Sequence, residues 1–321
     1  MYNVRILTDV NECRAAWEEV IPRKTIWDLW EMRECFHRHY QRPLLFIAAE
    51  EAGRIRGLLP LSWMAESVSY GYFPGEAWEG QTWLEQNRIY DDDNGSWSTL
   101  LDSCPGSYHL RYLQLPDTGL PAGTSVDEIG YFFIPPQYKY EMENYFGEFS
   151  RNSRKRLRRD LSAFDEYGVR YRFDEPADFE HLVKINLDRF GDASYFSDSR
   201  FNQSFRDLMN LLRARGWMRL TTVLIKGEVA AVDLGCIFNG VYTLLAGGTH
   251  SDFPGVAKLI NIYHMRWACE QKLDLVEFLC GGFSWKTLFH LTPRPLYLLT
   301  NRASPEQMPI TAGSGRDNHA G

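Results

Sequence analysis

The stretch MRLTTVLIKGEVAAVDLGCIFNGVYTLLA, residues 218–246, decides the fold. It contains three runs of apolar and β-branched residues, 218–225, 229–238 and 241–246, and each run is typical of a β-strand. Lys226-Gly227 separates the first two runs. Asn239-Gly240 separates the last two and is the usual pair of a type I′ hairpin turn. The stretch therefore predicts an antiparallel meander of three strands.

A shorter copy of this pattern occurs early in the chain. The runs 44–49 and 55–61 flank the turn Glu51-Ala52-Gly53 and predict another hairpin. Aligning Gly53 with Gly227 superimposes the two hairpins. Two helical stretches precede each hairpin, at 13–20 and 27–40 in the first case and at 179–190 and 205–215 in the second. The repeated order predicts internal duplication of one α/β unit.

Composition restricts the class of protein. Hydrophobic residues make up 44% and aromatic residues 14% of the 321 positions, which is enough to fill ordinary cores. The formal net charge of −7 argues against general binding of nucleic acid. We expect no membrane span, because the sequence lacks a run of about 18 apolar residues. Six scattered cysteines, with no apolar signal segment in the first ten residues, predict a reduced protein of the cytoplasm.

Against this acidic background, the segment RNSRKRLRR, residues 151–159, concentrates six cations. Ser150 is a suitable N-cap, and apolar residues at 157, 161 and 164 predict a helix over 150–167 with one buried stripe. We expect Arg154, Lys155 and Arg158 to bind phosphate groups of a substrate, because guanidinium groups pair well with phosphate oxygens. A solvated helix that pairs with nearby acids is the alternative, and the backbone of a nucleic acid is a further candidate partner.

The helix after the meander predicts a second anion site. The sequence THSDFPGVAK, residues 249–258, places Pro254-Gly255 before an uninterrupted helical run to about Lys272. The first N–H groups of a helix lack partners within it, and its dipole favours an anion there. Gly255, Val256, Ala257 and Lys258 are therefore candidates to hold a pyrophosphate.

A lysine near the end of the chain is the candidate for charge stabilisation. The run 275–279 predicts a buried strand, Gly281-Gly282 ends it, and Trp285-Lys286 follow among apolar residues. An ammonium partly shielded from water stabilises negative charge that develops on a nearby oxygen. A surface lysine whose stem covers aromatic rings fits the same pattern and is the alternative.

The order of these features resembles the GNAT-like acetyltransferases that include the CelD-like proteins of cellulose biosynthesis. More distantly it resembles the FemAB aminoacyltransferases. The resemblance covers about residues 149–302. It is carried by the basic helix, the segment GVRY at 168–171, Gly216-Trp217, Pro254-Gly255, and Gly281 with Trp285-Lys286.

The resemblance implies a fold of the α/β (α+β) class, a tandem duplicated GNAT-like fold with twisted mixed sheets flanked by helices. It also implies acyl-CoA as co-substrate, bound at Gly255–Lys258, and no metal. Lys286 is the apparent counterpart of a FemAB lysine that stabilises the reacting carbonyl. The usual GNAT loop, Q/R-x-x-G-x-G/A, is absent from this sequence.

We therefore expect residues 1–135 to form a degenerate GNAT-like half on the acceptor side. Residues 136–303 would form the half with the donor site, and 304–321 a disordered tail. The expected reaction moves an acyl group to an amine of a small molecule, sugar or envelope precursor. His250, Asp233 and Glu277 are the candidate bases, and Trp285 is expected to contact substrate.

Two other functions fit the same residues. One is a FemAB-like transferase that takes its acyl group from aminoacyl-tRNA. The other is a non-catalytic module that binds a glycan or a protein.

Overall fold

The computed structural model describes residues 2–92, 95–116, 120–281 and 284–302. The tail expected at 304–321 and Gly282 lie outside these ranges. Within them, no helix has both the length and the apolar character needed to cross a bilayer.

The first part of the chain contains nine strands and three helices among the described residues. The strands are β1 Asn3–Leu7, β2 Leu44–Glu51, β3 Arg54–Met64, β4 Ser69–Tyr72, β5 Ala77–Trp78, β6 Gln81–Thr82, β7 Tyr90–Asp91, β8 His109–Leu113 and β9 Thr124–Phe133. The helices are α1 Val10–Val20, α2 Trp30–Tyr40 and α3 Trp97–Asp102.

The second part contributes six further helices and six strands to the described chain. The helices are α4 Met142–Phe146, α5 Arg151–Ser162, α6 Asp178–Phe190, α7 Ser199–Arg215, α8 Val256–Glu270 and α9 Ser284–Leu288. The strands are β10 Arg170–Phe173, β11 Met218–Ile225, β12 Glu228–Phe238, β13 Val241–Thr249, β14 Leu275–Glu277 and β15 Thr292–Thr300.

The duplication predicted from the sequence is present. One strand, two helices and three strands follow one another in both parts, and the sheets have the orders β1-β2-β3-β4 and β10-β11-β12-β13. The two hairpins agree in detail, because a β-bulge follows Ala49 in β2 and Val223 in β11, positions that the alignment of Gly53 with Gly227 superimposes. The turn residues before both glycines, Ala52 and Lys226, have φ of 51° and 54°.

The two parts exchange their last strands. β9 pairs with β14 and β15, and β15 pairs with β9 and β8, so the larger sheet runs β10-β11-β12-β13-β14-β9-β15-β8. A parallel bridge between Tyr70 and Tyr108 connects β4 to the start of β8. β9 therefore extends the sheet of the second half, β15 lies between two strands of the first half, and the chain folds as one connected unit.

A second contact between the parts is an aromatic cluster on one face of the larger sheet. The ring centroids of Trp83 and Trp27 are 5.3 Å apart, and those of Trp83 and Phe205 are 4.9 Å apart. Helices α6 and α7 cover this face, and α8 covers the other. Burial of each large apolar side chain stabilises the fold by about 1.5–3 kcal/mol, so the cluster holds the halves together.

The helix predicted at 27–40 begins later than expected. Residues Ile26–Asp28 form a 3₁₀ turn, and α2 begins at Trp30. The Asp28 carboxylate accepts the backbone N–H groups of Lys24 and Thr25 at 3.0 and 2.9 Å, and Leu29 is extended. These local hydrogen bonds compete with the helix and delay its start.

Candidate functional site

The strands β13 and β14 separate in the middle of the larger sheet. We call this separation the splay, and its two arms are the end of β13 and the chain that follows β14. They pair in parallel only as far as Thr243 and Glu277, although β13 continues to Thr249. Beyond Glu277 the chain bonds to β9 instead, where the N–H of Phe278 donates to the carbonyl of Tyr131 at 2.9 Å. The far end of β13 therefore has no strand partner on this side among the described residues. It leads into the turn that begins α8.

The start of α8 offers two backbone donors. Gly255 is its N-cap with φ of 86°, a conformation that favours glycine. The N–H groups of Val256 and Lys258 donate to the carbonyls of Phe253 and Gly255 at 3.1 and 3.0 Å. The N–H groups of Gly255 and Ala257 have no acceptor among the residues that the structure describes. Of the four amides predicted to hold a pyrophosphate, these two are available.

A cleft of about 810 Å³ lies between this turn and α5. Its charged lining consists of Arg156, Arg159, Lys226, Lys258, Asp160 and Asp252. The Asp160 carboxylate accepts from Lys258 Nζ at 2.6 Å and from Arg159 at 3.2 Å, and the hydrogen bond from Lys258 lowers its pKa. Four cations face two carboxylates, so the cleft carries an excess of positive charge next to the two available amides. We call it the donor cleft.

The face of α5 that meets the donor cleft differs from the predicted one. Arg156 and Arg159 line it, whereas Arg158 lines a second cleft between α5 and α8 and pairs with Glu143 at 2.5 Å. Lys155 is exposed, and Arg154 is half-buried. Leu157 is buried and sets the rotation of the helix, which directs residues 156 and 159 toward the turn at Gly255.

Lys286 lies on the other arm of the splay and does not line the donor cleft. Its side chain is only 2% exposed. The ammonium donates to the carbonyls of Leu279 and Cys280 at 2.9 and 2.6 Å, and it lies 5.3 Å from the ring centroid of Tyr131. Burial lowers the pKa of Lys286 to about 8. The lysine is therefore a shielded cation at the end of β14.

Glu85, which the sequence analysis did not identify, lies beside this lysine. Its carboxylate is 4% exposed and accepts the backbone N–H of Cys280 at 2.9 and 3.1 Å. Burial raises the pKa of Glu85 to about 7. No local pattern marks Glu85, because its partner lies 195 positions further along the chain.

The three candidate bases occupy three different environments. His250 is half-buried, accepts the N–H of Asp252 at 3.3 Å, and lines a groove beside α6. Glu277 is buried and accepts from Trp27 Nε1 at 3.2 Å and from the hydroxyl of Thr243 at 3.0 Å. Asp233 is buried under α8 and lies 2.9 Å from Nε2 of His264. The structure does not bring these side chains together.

Trp285 packs in the apolar core beneath α9. Its ring meets Phe278 and Phe289 edge-on, each with a centroid distance of 5.6 Å. These contacts hold the short helix that carries Lys286.

A further cleft of about 580 Å³ opens in the first half, and we call it the first-half cleft. The charged side chains that line it are Arg33, Arg111, Arg200, Arg302, Glu66, Glu76, Glu79 and His109. Arg111 forms a two-point pair with Asp127 at 2.8–3.1 Å, and Arg200 pairs with Asp198 at 2.6 Å. These arginines are already neutralised by protein carboxylates.

Arg33 differs from the other arginines of the first-half cleft. Its guanidinium is 1% exposed and donates to the carbonyls of Trp27 and Phe73 at 2.9 and 2.6 Å, and to Oδ1 of Asn87 at 2.8 Å. All three acceptors are neutral. Among the described residues, no carboxylate forms an ion pair with it, and the carboxylates of Glu76 and Asp28 act on its charge from a greater distance. A buried cation without a charged partner is costly, and an anion in the cleft would offset that cost.

Comparison with known proteins finds a family model that resembles the second half. Residues 151–287 match the family model described as an acetyltransferase (GNAT) domain. This range includes both arms of the splay and the donor cleft. No curated protein matches the chain.

Solved structures extend the likeness over the whole chain. FemX has a TM-score of 0.58 at 12% identity, over 92% of this chain and 96% of FemX. L-PGS from Bacillus licheniformis has a TM-score of 0.57 at 12% identity, over 93% and 94% of the two chains. A tandem GNAT protein from the clavulanic acid biosynthesis pathway has a TM-score of 0.51 at 10% identity, over 94% and 99%. The protein has the tandem GNAT fold that the sequence predicted.

Proposed function

We propose that this protein is an N-acyltransferase that moves an acyl group from acyl-CoA to the amine of an acceptor. The donor cleft is the observation that carries the proposal. It joins an excess of positive charge to two available amides at the start of a helix of 15 residues, inside the range that matches an acetyltransferase domain. These are the features that bind a pyrophosphate.

The two arms of the splay supply the other requirements of the reaction. The amine attacks the thioester carbonyl, a C–N bond forms, the C–S bond breaks, and CoA leaves as the thiol while the amine loses a proton. The end of β13 that has no strand partner would align the middle of the donor. The phosphates of the donor would then lie in the donor cleft and its acyl group near the end of β14. The Lys286 ammonium would stabilise the carbonyl oxygen as it becomes negative, since a charge in a shielded site acts strongly on it.

The first-half cleft is our candidate for the acceptor. Arg33 supports this assignment, because its buried guanidinium lines the cleft and donates only to neutral acceptors, with Glu76 and Asp28 acting on it from beyond ion-pair distance. We therefore propose that the acceptor carries an anionic group in addition to its amine. We also retain the CelD-like resemblance and a cytoplasmic location, and the six cysteines, all in described ranges and all free, suit a reducing compartment.

The proposed function is tested by calorimetric titration with acetyl-CoA and longer acyl-CoA thioesters. This is followed by an assay of CoA thiol release with a panel of amines. We expect acyl-CoA to bind with a Kd in the micromolar range and thiol release to depend on the amine. A protein that binds no acyl-CoA thioester would contradict the proposal.

The second candidate function is transfer from aminoacyl-tRNA. The observation that favours it is α5, five of whose six cations are exposed, more than the phosphates of CoA require. Binding of a tRNA should weaken steeply with salt, because each neutralised phosphate releases counterions. Titrations of CoA and of a tRNA at two salt concentrations therefore separate the two donors.

The role of Arg33 is tested with an inorganic anion. With CoA present to fill the donor cleft, inorganic phosphate should raise the Tm of the wild-type protein, because a ligand that binds only the native state stabilises it. The Arg33→Gln variant should show at most a third of that rise. Arg56→Gln is the control, since Arg56 pairs with Asp92 at the surface. An equal rise in Arg33→Gln and the wild type would remove Arg33 from the acceptor site.

A further inference from the structure

One loop connects the first-half cleft to the splay of the second half. Residues 76–88, which we call the bridging loop, line the cleft through Glu76, Trp78, Thr82, Leu84 and Asn87. From the same loop, Trp83 enters the aromatic cluster with Phe205, and Glu85 binds the backbone of Cys280. The loop therefore touches the proposed acceptor site and the donor half at once.

The bridging loop is held rigid from within. The buried Glu76 carboxylate accepts the N–H groups of Trp83 and Leu84 at 3.1 and 2.8 Å, and it also accepts the Thr82 hydroxyl. Tyr195 donates its hydroxyl to the carbonyl of Thr82 at 3.2 Å. Because the amides just before Glu85 are fixed, the Glu85 carboxylate has a defined position.

Glu85 and Lys286 hold one peptide segment from two sides. The carboxylate accepts the N–H of Cys280, and the ammonium donates to the carbonyls of Leu279 and Cys280. Leu279 has φ of 57°, a conformation that a residue with a branched side chain adopts only when its surroundings enforce it. The hydrogen bonds with the two charged groups stabilise the segment in this conformation.

We infer that Glu85 is a positioning residue for Lys286. By accepting the Cys280 N–H, it orients the peptide group whose carbonyl, that of Leu279, accepts from the ammonium, and it thereby connects the first-half cleft to the half that contains the donor cleft. The inference rests on the proposed function, because the position of Lys286 matters for catalysis only if its ammonium stabilises the carbonyl oxygen of the donor. The structural part, that Glu85 sets the environment of Lys286, is independent of any activity.

The ionisation of Glu85 and of Lys286 depends on pH. Lys286 faces Glu85, Glu128, Tyr131 and the Cys280 thiol, and Glu85 also faces Glu277, Arg294, Tyr112 and Tyr195. The negative charge of Glu85 raises the pKa of Lys286, opposing the lowering by burial. Glu85 gains its charge as the pH rises through about 7, and Lys286 loses its charge as the pH rises through about 8. Both groups are ionised between these values.

The test is an NMR titration of protein with ¹³C-labelled lysine, in which Lys286→Arg assigns the Lys286 signal. In the wild type we expect its midpoint at about 8. In Glu85→Gln, where the amide oxygen can still accept the Cys280 N–H, the midpoint should fall by at least half a unit. Glu85→Asp keeps the charge and should recover part of the shift. An unchanged midpoint in Glu85→Gln would overturn the inference.

A matched control and a kinetic measurement complete the test. Glu79→Gln removes an exposed carboxylate of the same loop and should leave the Lys286 midpoint unchanged. If thiol release is observed, Glu85→Gln should lower kcat about tenfold with KM for acyl-CoA unchanged, and the alkaline limb of its pH profile should move to lower pH. A titration that behaves as expected without any thiol release would refute the proposed function alone. Wild-type kcat and pH profile in Glu85→Gln would refute the inference alone.

Discussion

Lys286→Met is expected to lower kcat by about 100-fold to 1,000-fold, the usual cost of removing one donor that stabilises an oxyanion. In the proposed reaction the ammonium acts only when the carbonyl oxygen becomes negative, so its loss should affect the transition state more than the bound donor. The Kd for acyl-CoA should therefore stay within about threefold of the wild type. The measurements are calorimetry for donor binding and CoA thiol release for turnover.

Methionine is the replacement of choice because Lys286 is buried. An unbranched apolar side chain fills a similar volume without a charge to desolvate, so the fold should tolerate it. The carbonyls of Leu279 and Cys280 lose a donor, which costs about 1–3 kcal/mol of unfolding free energy. Lys272→Met, at an exposed position just beyond the end of α8, is the control and should behave as the wild type. Turnover of Lys286→Met close to that of the wild type would exclude the lysine from the reaction.

The sequence predicted the parts of the fold that depend on neighbouring residues. Asn239-Gly240 specifies its turn, with φ of 48° and 75°, because only a few residue types tolerate that conformation. Ser150 caps α5 as expected, since its hydroxyl accepts the N–H of Ser153 at 3.2 Å. The duplicated hairpins were visible for the same reason. Each of these features is decided within a few positions of the chain.

The strand exchange and the Glu85 contact were not predictable in this way. Nothing in the local sequence of β9 or β15 states which sheet each strand will join. Glu85 and Cys280 meet only because the bridging loop of one half reaches the splay of the other. The rotation of α5 about its axis was not predictable for the same reason. The sequence shows that α5 is rich in cations, but the direction in which Arg156 and Arg159 point depends on how Leu157 is buried.

Arg159→Gln is expected to raise the Kd for CoA about 10-fold to 100-fold, the effect of losing one charged hydrogen bond to a phosphate. Arg159 lines the donor cleft, and its only protein partner there among the described residues is Asp160 at 3.2 Å, which Lys258 also neutralises. The arginine can therefore turn to a phosphate without leaving a carboxylate uncompensated. Because glutamine keeps the helix intact, kcat at saturating donor should change little, and the weaker binding should appear as a raised KM.

The adjacent Arg158 of α5 is a matched control for this prediction. Arg158 has the same chemistry but points into the cleft on the other side of the helix, where it pairs with Glu143. The sequence predicted Arg158 as a phosphate ligand, and we propose Arg159 for that role because it lines the donor cleft. Calorimetry on Arg158→Gln, Arg159→Gln and the exposed control Arg151→Gln decides between them. If Arg158→Gln weakens CoA binding more than Arg159→Gln, the donor lies between α5 and α8 and not at Gly255, and the proposed path along β13 must be given up.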